Sequence, residues 1–209
     1  MNLTNPQRLQ KLAHDLISQP RNVPRYVRDN VLARRTPIDL GLPWFSYGAI
    51  DFLERFLRPD MSVFEFGCGG STLFFAPRCG SVRCVEDNTQ WAALVRQRLA
   101  DARLSNVTIA EQAFDFRQPD GFDDSRYLAE VRSGNFDVIV VDGQDEDYTI
   151  RPRCFAAAEQ QVKPGGVVVV DDSWRYRQLR TSHRAKRVEI FETVGPARFG
   201  VTSTDVYFY

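Results

Sequence analysis

No stretch of the chain approaches the roughly 20 consecutive apolar residues needed to cross a bilayer. The opening run Met-Asn-Leu-Thr-Asn-Pro-Gln-Arg-Leu-Gln also lacks the apolar core of a secretory signal. No membrane partner is expected, and a cytoplasmic location is. Charge of neither sign is in excess, since Lys plus Arg and Asp plus Glu both number 27 among 209 residues. Without a global field, nucleic acid is not an expected partner either. The four cysteines (Cys68, Cys79, Cys84, Cys154) form no C-x-x-C pair and do not cluster with histidine. That favours reduced structural thiols over a disulfide framework or a zinc site. Histidine is scarce: only His14 and His183 occur, and no Cys/His or Ser/His/Asp arrangement is recognisable. Repeats and low-complexity tracts are missing as well.

What remains is an ordinary globular balance, 43% apolar and 26% charged, in a length that suits one domain with a substantial core. A short amphipathic helix is expected over 5–18. A proline-bearing stretch follows to about 42, and then a helix over 46–57 with Ile50, Phe52, Leu53, Phe56 and Leu57 at helical spacing. From there strands and helices alternate. Strands are expected at Met61–Phe66, Ser81–Glu86, Val107–Ala110, Phe136–Val141 and Val167–Val170, the last after a turn Lys163-Pro164-Gly165-Gly166. Helices are expected from Ser71 to near Pro77, over 89–101 with Asn88 as cap, near 124–132 and near 151–162. In the helix 89–101, Trp91, Leu94, Val95 and Leu99 form the expected buried stripe.

Unbroken Val/Ile runs imply strands covered on both faces, as in a parallel sheet with helices either side. The runs 187–193 and 201–209 have no room for a crossover helix and should pair antiparallel. The fold class is therefore α/β: a doubly wound, mostly parallel seven-stranded sheet ending in an antiparallel strand pair. Residues 1–44 read as a helical and irregular cap, and 45–209 as the main domain.

Residues 61–72, Met-Ser-Val-Phe-Glu-Phe-Gly-Cys-Gly-Gly-Ser-Thr, run from an apolar strand through an acidic residue into a glycine cluster. Glycines let backbone approach a ligand without a Cβ in the way. Glu65 beside them would repel a pyrophosphate and favours a ligand with amine or hydroxyl groups. Thr72 stands where a dinucleotide fingerprint needs its third glycine. Glu86, ending the next strand, suits two ribose hydroxyls, with Asp87 as substitute.

Together with Cys84-Val85-Glu86, Phe136–Asp142 and Lys-Pro-Gly-Gly-Val-Val-Val-Val-Asp-Asp, the run Val63–Thr72 resembles class I S-adenosylmethionine-dependent methyltransferases. The likeness covers about residues 45–209. It implies that Glu65, Gly67, Cys68, Gly69, Gly70, Ser71 and Thr72 face the methionine part of the cofactor. Glu86 would hold the ribose and Asp142 would line the site. Glu111 and Gln112 are candidates on the adenine side. The segment Leu42–Tyr47 resembles cofactor-capping segments, with Trp44 or Tyr47 able to stack on ligand or to pack on the sheet edge.

Asp142, Asp171 and Asp172 end neighbouring strands, and converging carboxylates repel unless protonated or bridged by a hard cation such as Mg²⁺. The pattern is similar to metal-dependent small-molecule and sugar O-methyltransferases, in which a cation would lower the pKa of an acceptor hydroxyl. The metal-free alternative has Asp142 lining the pocket and Asp171 or Asp172 capping a helix. Asp142 and His183 are the candidate catalytic residues, His183 as general base. Six basic residues from Arg175 to Arg187 form either an exposed charged helix or a grip for an acidic sugar. The expected activity is O-methylation of a small molecule or glycan. Aminopropyl transfer and a non-catalytic cofactor-binding module are the alternatives. The oligomeric state stays open, a homodimer included.

Overall fold

The structure, a computed structural model, describes residues 5–32 and 35–209. Part of the opening run weighed above as a signal sequence lies outside the described residues. Seven strands form one sheet: β1 (Ser62–Phe66), β2 (Ser81–Glu86), β3 (Val107–Glu111), β4 (Phe136–Val141), β5 (Val162–Val170), β6 (Arg187–Val194) and β7 (Val201–Phe208). Their spatial order is β3-β2-β1-β4-β5-β7-β6. Strands β1 to β5 run parallel, and β7 is antiparallel to both β5 and β6. The doubly wound architecture with a reversed edge is as the sequence led us to expect.

Period-2 alternation within apolar runs feeds two cores, one on each face. Val63, Val138, Val140, Val167 and Val169 point to one side, packed with Ala49, Ile50 and Leu53 of the helix Tyr47–Phe56 and Val95 and Leu99 of the helix Thr89–Asp101. Phe64, Phe66, Ile139, Val141, Val168 and Val170 point to the other, against Ile150, Cys154 and Phe155 of the helix Ile150–Ala158. Each fully buried side chain of this size contributes about 1.5–3 kcal/mol. The N-terminal segment joins the first core through Leu12, Tyr26 and Ile38. All four cysteines are free thiols.

Three expectations shift. Lys163–Gly166 is not a turn before β5 but a bulge inside it, where pairing moves from Phe136↔Val162 to Val138↔Val167. Near 124–132 only Arg126–Ala129 is α-helical, with 3₁₀ turns on both sides and Ser125 capping the Leu128 N–H. In the helix Thr89–Asp101 the buried face is Ala92, Val95 and Leu99, while Trp91 and Leu94 are 36% and 37% exposed. Among the described residues, no helix is long and apolar enough to cross a membrane.

Candidate functional site

Because β1, β2, β4 and β5 are parallel, the loops after them share one rim. The strand order reverses between β1 and β4, and a crevice opens at such a switch point. A cavity of ≈ 1240 Å³ lies there. Small-molecule pockets usually hold about 300–1,000 Å³, so this one has room for two ligands side by side.

One end of the cavity is the glycine loop. Gly67 sits at φ 86°, in left-handed conformation, and a Cβ on it would stand 3.2 Å from the Gly143 Cα. Only glycine allows the loops after β1 and β4 to touch in this way. The Cys68 N–H donates to Glu86 Oε2 at 3.1 Å, and the Asn88 N–H donates to Oε1 at 3.0 Å. Burial raises the Glu86 pKa, and these two amides offset part of the rise. The carboxylate is thereby fixed across the ends of β1 and β2. Thr72 closes the loop, its hydroxyl accepting the Gly69 N–H at 3.0 Å. The Trp91 indole N–H donates to the Cys68 carbonyl at 2.6 Å, laying the ring along the loop.

Glu65 lies behind this loop, 1% exposed, and neither carboxylate oxygen has a hydrogen-bond partner. Burial pushes its pKa up to about 8; the Ser71 and Thr72 hydroxyls nearby, short of hydrogen-bond geometry, work weakly against that, and Asp142 adds to it. An unpaired buried acid of this kind is costly unless a ligand or its own protonation compensates it.

At the other end stand the three strand-end aspartates, and two arginines hold them. Arg151 donates to Asp142 Oδ1 at 2.7 Å, to the Gly143 carbonyl at 2.7 Å and to the Asp171 carbonyl at 2.9 Å. Arg198 donates to Asp172 Oδ1 at 2.7 Å and approaches Asp171 Oδ2 at 3.6 Å. Thr202 and Thr204 hydroxyls add bonds to Asp172 at 3.0 Å and Asp171 at 2.9 Å. The expected divalent-cation site at Asp142, Asp171 and Asp172 is therefore not supported. Guanidinium groups already supply the positive charge that a cation would have supplied, and among the described residues no group of His, Cys, Asp or Glu fits a metal. Burial works against ionisation of Asp172, yet Arg198 and Arg151 hold its pKa below the ordinary carboxylate value. Burial dominates at Asp171, 2% exposed, and raises its pKa to about 7 despite Arg198.

Gly67, Cys68, Ser71, Glu86, Asp87, Asp142, Asp171 and Asp172 all line the cavity, with Trp44 at its mouth. Glu65, Gly69, Gly70 and Thr72 do not; they lie behind the lining. His183 is not in the lining, which corrects its candidacy as base: its ring packs edge-on to Tyr207 at 5.4 Å between centroids. Tyr47 is buried and donates to Asp29 at 2.7 Å, leaving it no role against a ligand. Glu111 pairs with Arg96, and Gln112 donates to Glu130 at 2.9 Å; neither lines the cavity. Sequence reasoning missed Arg151, Arg198 and Trp91. A tryptophan in the first turn after β2 was a usable signal, since that turn opens at the rim.

Residues 64–173, more than half of the chain, match the model of a family described as a methyltransferase domain. The chain belongs to that family. This methyltransferase is of class I, S-adenosylmethionine-dependent and Rossmann-like in fold. It is similar in structure to the O-methyltransferase TomG from Streptomyces achromogenes, solved with S-adenosylmethionine, at TM-score 0.63, with 17% identity and 99% of each chain covered. An rRNA methylase from Streptococcus thermophilus is similar at TM-score 0.58, 12% identity, over 77% of this chain and 94% of that one. A precorrin-6y C5,15-methyltransferase from Geobacter metallireducens follows at 0.53, 17% identity, over 76% and 86%. At such identities the likeness is one of fold. None of the curated proteins matches the methyltransferase in sequence.

Proposed function

We propose that this methyltransferase transfers a methyl group to a hydroxyl oxygen of a small molecule bound in the same cavity as the cofactor. The observation that carries the reading is the single cavity that joins the glycine loop and Glu86 to the Asp142–Asp171–Asp172 rim and an aromatic mouth. The residues fit S-adenosylmethionine. Glu65, just behind the lining, has two orphaned buried oxygens, and glycine at 67 lets the loops after β1 and β4 meet at the cavity wall. Glu86 would accept the ribose hydroxyls with the lone pairs left over by Cys68 and Asn88. Ser71 and the loop backbone would face the methionine part, and Trp91 would flank it.

When bound, the cofactor supplies an electrophilic sulfonium methyl. The chain supplies position, exclusion of water and a place for the acceptor's proton. Asp171 is the best-placed base. It lines the cavity, its Oδ2 has only a distant contact with Arg198, and its pKa of about 7 suits proton transfer near neutrality. With cofactor and acceptor bound, Asp171 would take the proton that the acceptor hydroxyl gives up as its oxygen takes the methyl. Aminopropyl transfer is disfavoured because an amine acceptor needs free acidic walls, and Asp142, Asp171 and Asp172 are already taken up by Arg151 and Arg198 while Arg8 and Arg177 line the same cavity.

The test is Asp171→Asn. We expect kcat to fall about 100-fold or more, with calorimetric affinity for S-adenosylmethionine unchanged. The wild-type rate should rise with pH through about 7, as Asp171 ionises, and the variant should lose that limb. A variant with wild-type kcat and pH profile would remove Asp171 from the mechanism. Absence of heat with either S-adenosylmethionine or S-adenosylhomocysteine would overturn the cofactor assignment itself.

A further inference from the structure

The charges lining the acceptor end do not cancel. Lys11 pairs with Glu192, Arg151 with Asp142, and Arg198 with Asp171 and Asp172. Arg175 leans on Asp172 at 3.7 Å and over the Trp174 ring at 4.7 Å. Arg8 and Arg177 line the same cavity, and among the described residues neither side chain has an ion pair or a hydrogen bond. Among the described residues, two guanidinium groups thus line this cavity with no paired acid, in a protein whose net charge is zero.

The walls around them are apolar and exposed. Trp44 is 49% exposed, Tyr148 48% and Phe199 66%, and all three line the cavity with Trp174. Exposed aromatics gathered at one opening mark a binding surface more often than chance. Backbone strain gathers at the same place. Of the four non-glycine residues with positive φ among the described residues, three are Tyr148, Asp172 and Ala197, at 65°, 48° and 51°. Tyr148 and Asp172 line the cavity, and the Ala197 carbonyl accepts the Trp44 indole N–H at 3.1 Å. Two of these strained residues present their side chains to the opening and the third holds Trp44 there, as functional sites do.

From this geometry we infer that the acceptor carries an anionic group, a carboxylate or phosphate, which Arg177 and Arg8 hold while its body lies against the aromatic wall. The inference rests on the methyl-transfer reading above and names the acceptor's chemistry. A planar guanidinium matches a carboxylate or phosphate with two parallel hydrogen bonds. The anion can belong to a hydroxyaromatic acid or to an acidic sugar, since both present a flat face to tryptophan. Placing the anion at the mouth leaves the hydroxyl pointing inward, toward Asp171.

The test is calorimetric titration of the full chain loaded with S-adenosylhomocysteine, using matched probes: 4-hydroxybenzoate against 4-hydroxybenzamide, and glucuronate against glucose. At least one anion should bind about 10-fold more tightly than its neutral partner. Which pair shows the gap tells the aromatic source from the sugar source. Arg177→Gln with Arg8→Gln should erase the gap while leaving S-adenosylhomocysteine affinity and melting temperature unchanged. Equal binding of anion and neutral partner in both pairs, or a gap that survives both substitutions, would overturn the inference. Failure to load S-adenosylhomocysteine would instead overturn the reading beneath it.

Discussion

The cavity has two ends built by opposite means. At the β1–β2 end, Glu86 is fixed by two backbone amides, the loop closes on Thr72, and glycines bring the chain near the ligand space. At the β4–β5 end, charged side chains from separate loops cross-link one another, and aromatics stand exposed. The first end is local in sequence, a strand and the turn after it. The second is assembled from distant pieces: Asp172 and Arg198 are 26 positions apart, and Asn30 ties the β6–β7 connection down by bonding both the Gly195 carbonyl at 3.2 Å and the Arg198 N–H at 2.7 Å. A backbone-built end suits a ligand common to a whole family. A side-chain-built end can change with its loops while the sheet stays the same.

Gly70 seats the backbone-built end on the N-terminal segment, and breaking that seam should have the largest effect. A Cβ on Gly70 would lie 2.2 Å from the Leu42 carbonyl oxygen and 2.5 Å from that of Pro37, both backbone atoms. Neither can move aside without lifting the N-terminal segment off the glycine loop. We expect Gly70→Ala to cost about 3 kcal/mol or more, lowering the melting temperature by roughly 10 °C. Cofactor affinity should fall as well. An unchanged melting curve would mean that the segment 37–42 does not dock on the loop.

The next effect sharpens the contrast through pH. Glu65 has an ordinary pKa of 4.5 when unfolded and about 8 when folded. Between those values the unfolded chain has released a proton that the folded chain retains, so stability falls as pH rises and levels off above about 8. Asp171, raised to about 7, acts in the same direction over the lower part of that window. Glu65→Gln should therefore flatten the fall, most visibly from pH 7 to 8, and stabilise the ligand-free protein there by a few kcal/mol. The same variant should bind S-adenosylmethionine more weakly, the usual exchange of stability against function. Thermal melts from pH 5 to 9 decide it: parallel curves for the two proteins would refute the buried, unpaired carboxyl.

These two ends also differ in how far the sequence could be read. The glycine loop, Glu65 and Glu86 were legible because period-2 burial and a turn after a strand are short-range patterns. The strand pair 187–194 and 201–208 was legible because a short connection admits only antiparallel pairing. Nothing local says that Arg198 returns to Asp172, since that depends on the register of β6 with β7 and of β7 with β5. The aspartates were visible and their partners were not, so a cation was invoked for charge that arginine supplies. His183 was misplaced for a related reason. The 3₁₀ turns Ser173–Arg175 and Arg177–Arg180 keep Trp174, Arg175 and Arg177 at the cavity, and His183, further along the chain, comes to rest beside Tyr207.

The smallest expected effect asks whether the two ends are independent. Trp91→Phe keeps an aromatic ring beside Gly69, whose added Cβ would stand 3.6 Å from the indole, but removes the N–H that bonds the Cys68 carbonyl. That leaves one carbonyl at the cavity edge without its donor, at a cost of about 1 kcal/mol. Affinity for S-adenosylmethionine should fall about 5-fold. Catalytic rate at saturating cofactor and the preference for anionic probes should stay as in the wild type, because no bond from Trp91 reaches Arg177, Arg8 or Asp171. A change in anion preference would mean that the loop and the mouth move together, and the division into a backbone-built and a side-chain-built end would fail at that point.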